Sequence, residues 1–148
     1  MRSPAKFDII EADALRPSSA YSGNLYSEEY FELMRSRLRP HGLAATWLPT
    51  HRVHNAFVRV FPYVVSVPGI LVGSDDPIQV DRPQVMQRLA APRVREHYAI
   101  AGINAEELMS SYLIDPARYT PDFDRSALTD VNTDLFPKDE YDLSAPRR

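Results

Sequence analysis

The sequence predicts an α/β protein built around a parallel strand–helix–strand crossover. Three observations carry this. Phe7–Ala12 (FDIIEA) is a short apolar run with a β-branched pair, the pattern of a strand. The stretch from Ser27 to Leu38 is amphipathic at helical spacing. Leu43–Leu48 (LAATWL) then reads as a second strand. Two strands joined through a helix are parallel, and such units belong to doubly wound sheets.

The elements follow from local chemistry. Asp13 to Asn24 is polar and rich in Pro, Ser and Gly, which makes it a loop. Ser27 is placed to cap the first helix, with Glu28 and Glu29 where the helix dipole favours anions. Tyr26 and Phe31 have the spacing of a hydrophobic staple. Tyr30, Phe31, Met34 and Leu38 form its apolar stripe, and Pro40-His41-Gly42 is expected to end it. Thr50 caps a second helix whose apolar face is Val53, Ala56, Phe57 and Val60, closed by Pro62. Tyr63–Val67 and Ile70–Val72 flank Pro68-Gly69 and read as a terminal antiparallel hairpin. Helical patterns continue over Asp81–Ala90, Pro92–Ile100 and Asn104–Leu113, with Asn104 as a cap. The tail from Pro116 shows no clear periodicity.

Composition narrows the function classes. The chain has 148 residues, room for one core, and a net charge of −3. That charge gives no reason to expect nucleic-acid or anionic-membrane binding. There is no cysteine, so disulfides and thiolate metal sites are excluded and a reducing, cytoplasmic setting is expected. No run approaches the roughly 18 apolar residues of a membrane span, and MRSPAK has no apolar segment of a signal peptide behind it. His51 and His54 share a helix face at a spacing that suits two metal ligands, but no third ligand is well spaced, so no metal is expected.

Doubly wound sheets bind ligands outside the carboxyl ends of their strands. Asp13 and Trp47 fall at those ends. Asp13 suits a turn residue or a helix-cap acceptor after a strand. Trp47 suits either a stacking wall for an aromatic or cationic ligand or a core-edge residue.

FDIIEADALRP, NLYSEEYFELMRSRLRPHGLAATWLPT, VFPYV and VNTDLFPKDEYDL, in that order, resemble the spermidine synthase-like proteins. These are polyamine aminopropyltransferases on the methyltransferase-type Rossmann fold. The resemblance covers most of Phe7–Val72 and returns at Val131–Leu143; Asp81–Asp130 carries no motif of the family. It implies a partial Rossmann-like (methyltransferase-type) sheet with a terminal antiparallel hairpin and a helical C-terminal appendage. Residues 1–74 would form the C-terminal half of the Rossmann domain. Residues 75–148 would form a helical appendage and a polar tail packing on it. Phe7–Ala12 would be a strand from the middle of such a sheet, and no GxGxxG occurs among the five glycines. The sequence therefore reads as the C-terminal half of a domain, from a truncated gene, a mis-assigned start or a split protein.

The resemblance further implies transfer of an aminopropyl group from decarboxylated S-adenosylmethionine, as co-substrate, to an amine. Asp13 matches the family's base. The family's D-S-x-D-P loop is here Asp13-Ala14-Leu15-Arg16-Pro17, so Arg16 replaces the carboxylate that pairs with a diamine's far ammonium. Trp47 stands where authentic synthases carry glutamine, and Tyr26 matches an aromatic position lining the site. Asp134 and Glu140 match a segment that packs back near the active-site mouth. Three readings stay open: an aminopropyltransferase weak or inactive alone, a non-catalytic half-domain that pairs with another chain, and a methyltransferase-fold enzyme with a different acceptor. Each is compatible with a homo-oligomer or a complementing chain, and with a membrane-tethered full-length relative.

Overall fold

The structure is a computed structural model and describes residues 5–12, 16–19 and 22–142. The chain is mixed α/β. Among the described residues it holds a five-stranded mixed sheet and six α-helices. It divides into two compact units, Met1–Ile78 with Arg118–Arg148, and Gln79–Ala117.

In the first unit, β1 (Phe7–Ala12) leads through a 3-10 turn at Gly23–Tyr26 and helix α1 (Glu28–Ser36) to β2 (Leu38–Trp47). β1 and β2 are parallel, with Ala12 beside Thr46. Helix α2 (His51–Val60) then leads to β3 (Tyr63–Val67) and β4 (Ile70–Ser74). β4 pairs antiparallel with both β2 and β3, so it lies between them, and the sheet order is β1-β2-β4-β3-β5. β5 is the short Ala117–Tyr119.

The caps form as their chemistry requires. Ser27 Oγ accepts from Tyr30 N at 3.1 Å, and Thr50 Oγ1 accepts from Val53 N at 3.2 Å. Gly69 takes φ +79°, the left-handed conformation the two-residue β3–β4 turn needs there. One boundary differs from expectation. α1 stops at Ser36, and β2 already begins at Leu38, so Pro40-His41-Gly42 lies within a strand. The register jumps from Phe7 beside Leu38 to Ile9 beside Leu43, and His41 sits at φ 63°. This is a bulge, where a strand accommodates proline and left-handed backbone.

Helices α1 and α2 cover one face of the sheet. Phe31 and Met34 from α1 and Val53, Ala56, Phe57 and Val60 from α2 share a buried cluster with Ala12, Ala44, Val64 and Leu71. Phe31 and Phe57 meet edge to face at 5.1 Å, and Phe57 and Phe61 lie 4.6 Å apart. Each such buried side chain contributes about 1.5–3 kcal/mol relative to leaving it exposed. The opposite face carries Ile9, Glu11, Ala45, Trp47, Ile70 and Val72 by the strand registers. It is open enough to leave Ile9 68%, Trp47 38% and Ile70 41% exposed. β1 is an edge strand.

The second unit is α3 (Arg82–Leu89), α4 (Pro92–Ile100) and α5 (Ala105–Tyr112). Asp81 and Asn104 cap α3 and α5, and none of the three helices has a fully buried residue. The tail is more ordered than its lack of periodicity suggests. It forms β5 and a short helix α6 (Lys138–Tyr141), and packs against the sheet unit.

Candidate functional site

The carboxyl ends of β1 and β2 lie side by side through the Ala12–Thr46 pairing. The segments leaving them define a rim. Asp13, the expected base, lies outside the described residues, as do Ala14 and Leu15. Arg16 is exposed, and its carbonyl joins a compact turn. The buried Ser22 Oγ lies 2.8, 2.8 and 2.6 Å from the carbonyl oxygens of Arg16, Pro17 and Ser19, which share its one proton.

Tyr26 is fully buried and, with Phe31, belongs to the core cluster, as the staple reading requires. Trp47 is at the end of β2, half-exposed, on the face away from α1 and α2. It lines a shallow cavity of about 180 Å³ with Glu11, Ala12, Ala45, Thr46 and Ile70.

The tail returns to the first turns of α1 and α2. Ser27 Oγ donates to Asp134 Oδ1 at 2.5 Å, Glu28 N donates to Asn132 O at 3.0 Å, and Asp134 N donates to Glu29 Oε2 at 3.0 Å. Glu140 is half-buried beside Gly23, where a Cβ would come within 2.2 Å of Pro137 Cβ. Asp134 and Glu140 thus stand near the 3-10 turn and α1, while Trp47 looks onto the other face of the sheet.

The sequence did not announce the largest polar cluster, at the first turn of α2. Asp139 is buried and accepts from Thr50 Oγ1 (2.5 Å), Asn132 Nδ2 (2.8 Å) and Arg52 Nη1 (2.9 Å). Arg52 also donates to Asp142 and Asp130, at 2.9 and 3.0 Å. Asp130 further accepts from Lys138 Nζ at 2.7 Å and contacts His51 Nε2 at 2.8 Å. Hydrogen bonds from Lys138, His51 and Arg52 hold the Asp130 carboxyl far below the usual carboxylate range. The Asp139 and Asp142 carboxylates hold the Arg52 guanidinium charged far above its ordinary value. The α2 residues and their tail partners are 78 to 90 residues apart in sequence, beyond any local motif.

The two histidines do not share a partner. His54 Nε2 meets Tyr119 Oη at 2.8 Å and its Nδ1 faces Asn55. Among the described residues no group of three or more His, Cys, Asp or Glu is arranged to hold a metal ion. Nor is any helix among them long and apolar enough to cross a membrane. No protein-family model matches the chain, and no curated protein matches it.

Proposed function

We propose that the chain is the C-terminal half of a methyltransferase-type Rossmann domain of the spermidine synthase-like kind. The observation that supports this reading is the strand order. A parallel β1–α1–β2 crossover is followed by α2 and a hairpin whose second strand enters the sheet antiparallel between β2 and β3. That is the arrangement expected of such a sheet ending in a hairpin.

In this reading the substrates are decarboxylated S-adenosylmethionine and an amine. Asp13 takes a proton from the acceptor ammonium, and the freed amine attacks the carbon next to the sulfonium, which leaves as methylthioadenosine. Tyr26 backs the site from the core, and the Asp134 and Glu140 carboxylates lie on the acceptor side beside α1. Arg16 disfavours a diamine's distal ammonium at close range and points to a different acceptor.

The test uses Trp47, the single tryptophan. Methylthioadenosine is titrated into the full chain while its emission is followed. A saturable change that is lost in Asp13→Asn supports the reading, and aminopropyl-transfer assays with a panel of amines follow. A flat titration on a folded chain, with no transfer, sinks activity of this chain by itself.

The half-domain reading has its own observation. β1 is an edge strand with Phe7 48% and Ile9 68% exposed, beside an apolar groove lined by Phe7, Ile10, Tyr30, Leu33 and Met34. An open apolar edge is a template for pairing. Self-association or capture of a complementing chain, read by light scattering, is expected; a stable, monodisperse monomer would count against it.

A further inference from the structure

The cavity beside Trp47 combines three features. Trp47 and Ile70 face each other across the β2–β4 pairing, and both are about two-fifths exposed. Glu11 stands beside Ala45, two residues from Trp47 on the same face. Among the described residues Glu11 has no hydrogen-bond or ion-pair partner, and it is the one charge among the residues that the registers put on this face with it, Ile9, Leu43, Ala45, Trp47, Ile70 and Val72. The cavity, about 180 Å³, has room for one small molecule.

We propose that this cavity binds a small quaternary ammonium cation. A tryptophan face attracts a diffuse cation through its quadrupole, and quaternary ammonium groups are the ligands this interaction suits best. The Glu11 carboxylate adds a full negative charge at the same place. The remaining walls select the kind of cation. Ala12, Ala45 and Ile70 present no side-chain acceptor, and the Thr46 side chain is on the α-helical face, turned to the Ala12 carbonyl. A primary ammonium entering here finds side-chain acceptors on Glu11 alone, and the rest of the water it gives up is not replaced. A quaternary ammonium has no N–H to satisfy. The proposal stands on this face alone and does not depend on aminopropyl transfer.

The experiment titrates the full chain with choline, with its carbon isostere in which a carbon replaces the charged nitrogen, and with a linear alkyl diamine. Ionic strength is held constant with potassium chloride. Trp47 emission is one readout, and saturation transfer from protein to the carbon-bound protons of the ligand is a second that does not need the fluorophore. Choline is expected to saturate both, the isostere and the diamine to bind several-fold more weakly. Glu11→Gln, on a variant whose circular dichroism is unchanged, is expected to weaken choline about threefold, the scale of an exposed charge pair. Trp47→Leu, read by saturation transfer, is expected to weaken it by a similar factor. Equal binding of the isostere would show an apolar dish only. Tighter binding of the diamine, no effect of Glu11→Gln, or silence in both readouts would also overturn the proposal. The methylthioadenosine titration leaves this result untouched, so the two readings fail separately.

Discussion

At Gly73 the sheet and α2 come closer than a methyl group allows. A Cβ there would lie 2.5 Å from Phe61 Cγ and 2.8 Å from Phe57 Cε1, both ring atoms in the packed core. Gly73→Ala should cost about 1–3 kcal/mol through overpacking, read as a lower denaturant midpoint with an unchanged slope. Arg125 is the other single residue with a large share of the structure. Its guanidinium donates to the carbonyls of Val58, Phe61 and Pro62 at the end of α2, and to those of Thr120 and Phe123 in its own segment. A cation there complements the helix dipole. Arg125→Ala should cost about 1–2 kcal/mol, since three part-buried carbonyls lose a charged donor. Arg125→Lys should recover only part, because one ammonium cannot span five acceptors. Neither residue could have been read from its neighbours in sequence. Helix caps such as Ser27, Thr50 and Asn104 declare themselves within three residues. The need for glycine at 73 depends on two rings from α2 and the residue after it, and nothing local records it.

The elements show the same division between local and distant causes. The β3–β4 hairpin and the three helices of Gln79–Ala117 are legible because Pro68-Gly69, Asp81 and Asn104 mark their ends. The start of β2 is not legible. Pro40 reads as a helix stop, and only the bulge opposite Asp8 lets a strand pass through it. The tail is invisible to periodicity because its order comes from single side chains reaching the ends of α2. Arg125 holds the last turn, and Asp130 and Asp139 hold the first. The Trp47 strand end could be placed from sequence, but the His51–Arg52–Asp130–Asp139 cluster could not. The Asp130 contacts carry a pH prediction. Its carboxyl is depressed in the folded protein, chiefly by Lys138, then by His51 and Arg52. Its stabilisation is therefore complete above the ordinary aspartate value of about 4 and is lost as pH falls toward the lower folded value. Asp130→Asn should flatten the fall in stability below about pH 4 relative to the parent chain. Because the Asp130 side chain is 40% exposed, salt should shrink the difference. Identical acid profiles for the two proteins, measured by denaturant midpoint at each pH, would contradict the clamp.

Across the whole molecule, the buried apolar residues all belong to the sheet unit. They run from Ala12 to Leu71 and resume at Val131, with none between Gln79 and Ala117. The three helices of that second unit expose Ile100 (88%) and Leu108, and their ties to one another include surface pairs such as Arg95 with Glu106 and Arg82 with Ser110. Surface pairs of this kind are screened by solvent and add little, and short helices draw most of their stability from packing. The local free energy of opening should therefore be far lower in Gln79–Ala117 than in β2, β4 and α2. Hydrogen exchange on the full chain reads this directly. Amides of α3, α4 and α5 should exchange at least tenfold faster than those of α2 and β4, a gap of about 1.4 kcal/mol or more. In mild denaturant the gap should narrow as global unfolding takes over for both units. If Gly73→Ala speeds exchange in α2 and β4 while α3–α5 hold their rates, the sheet unit has its own core and the helices open independently. If all five elements exchange faster together, the second unit opens only with the first.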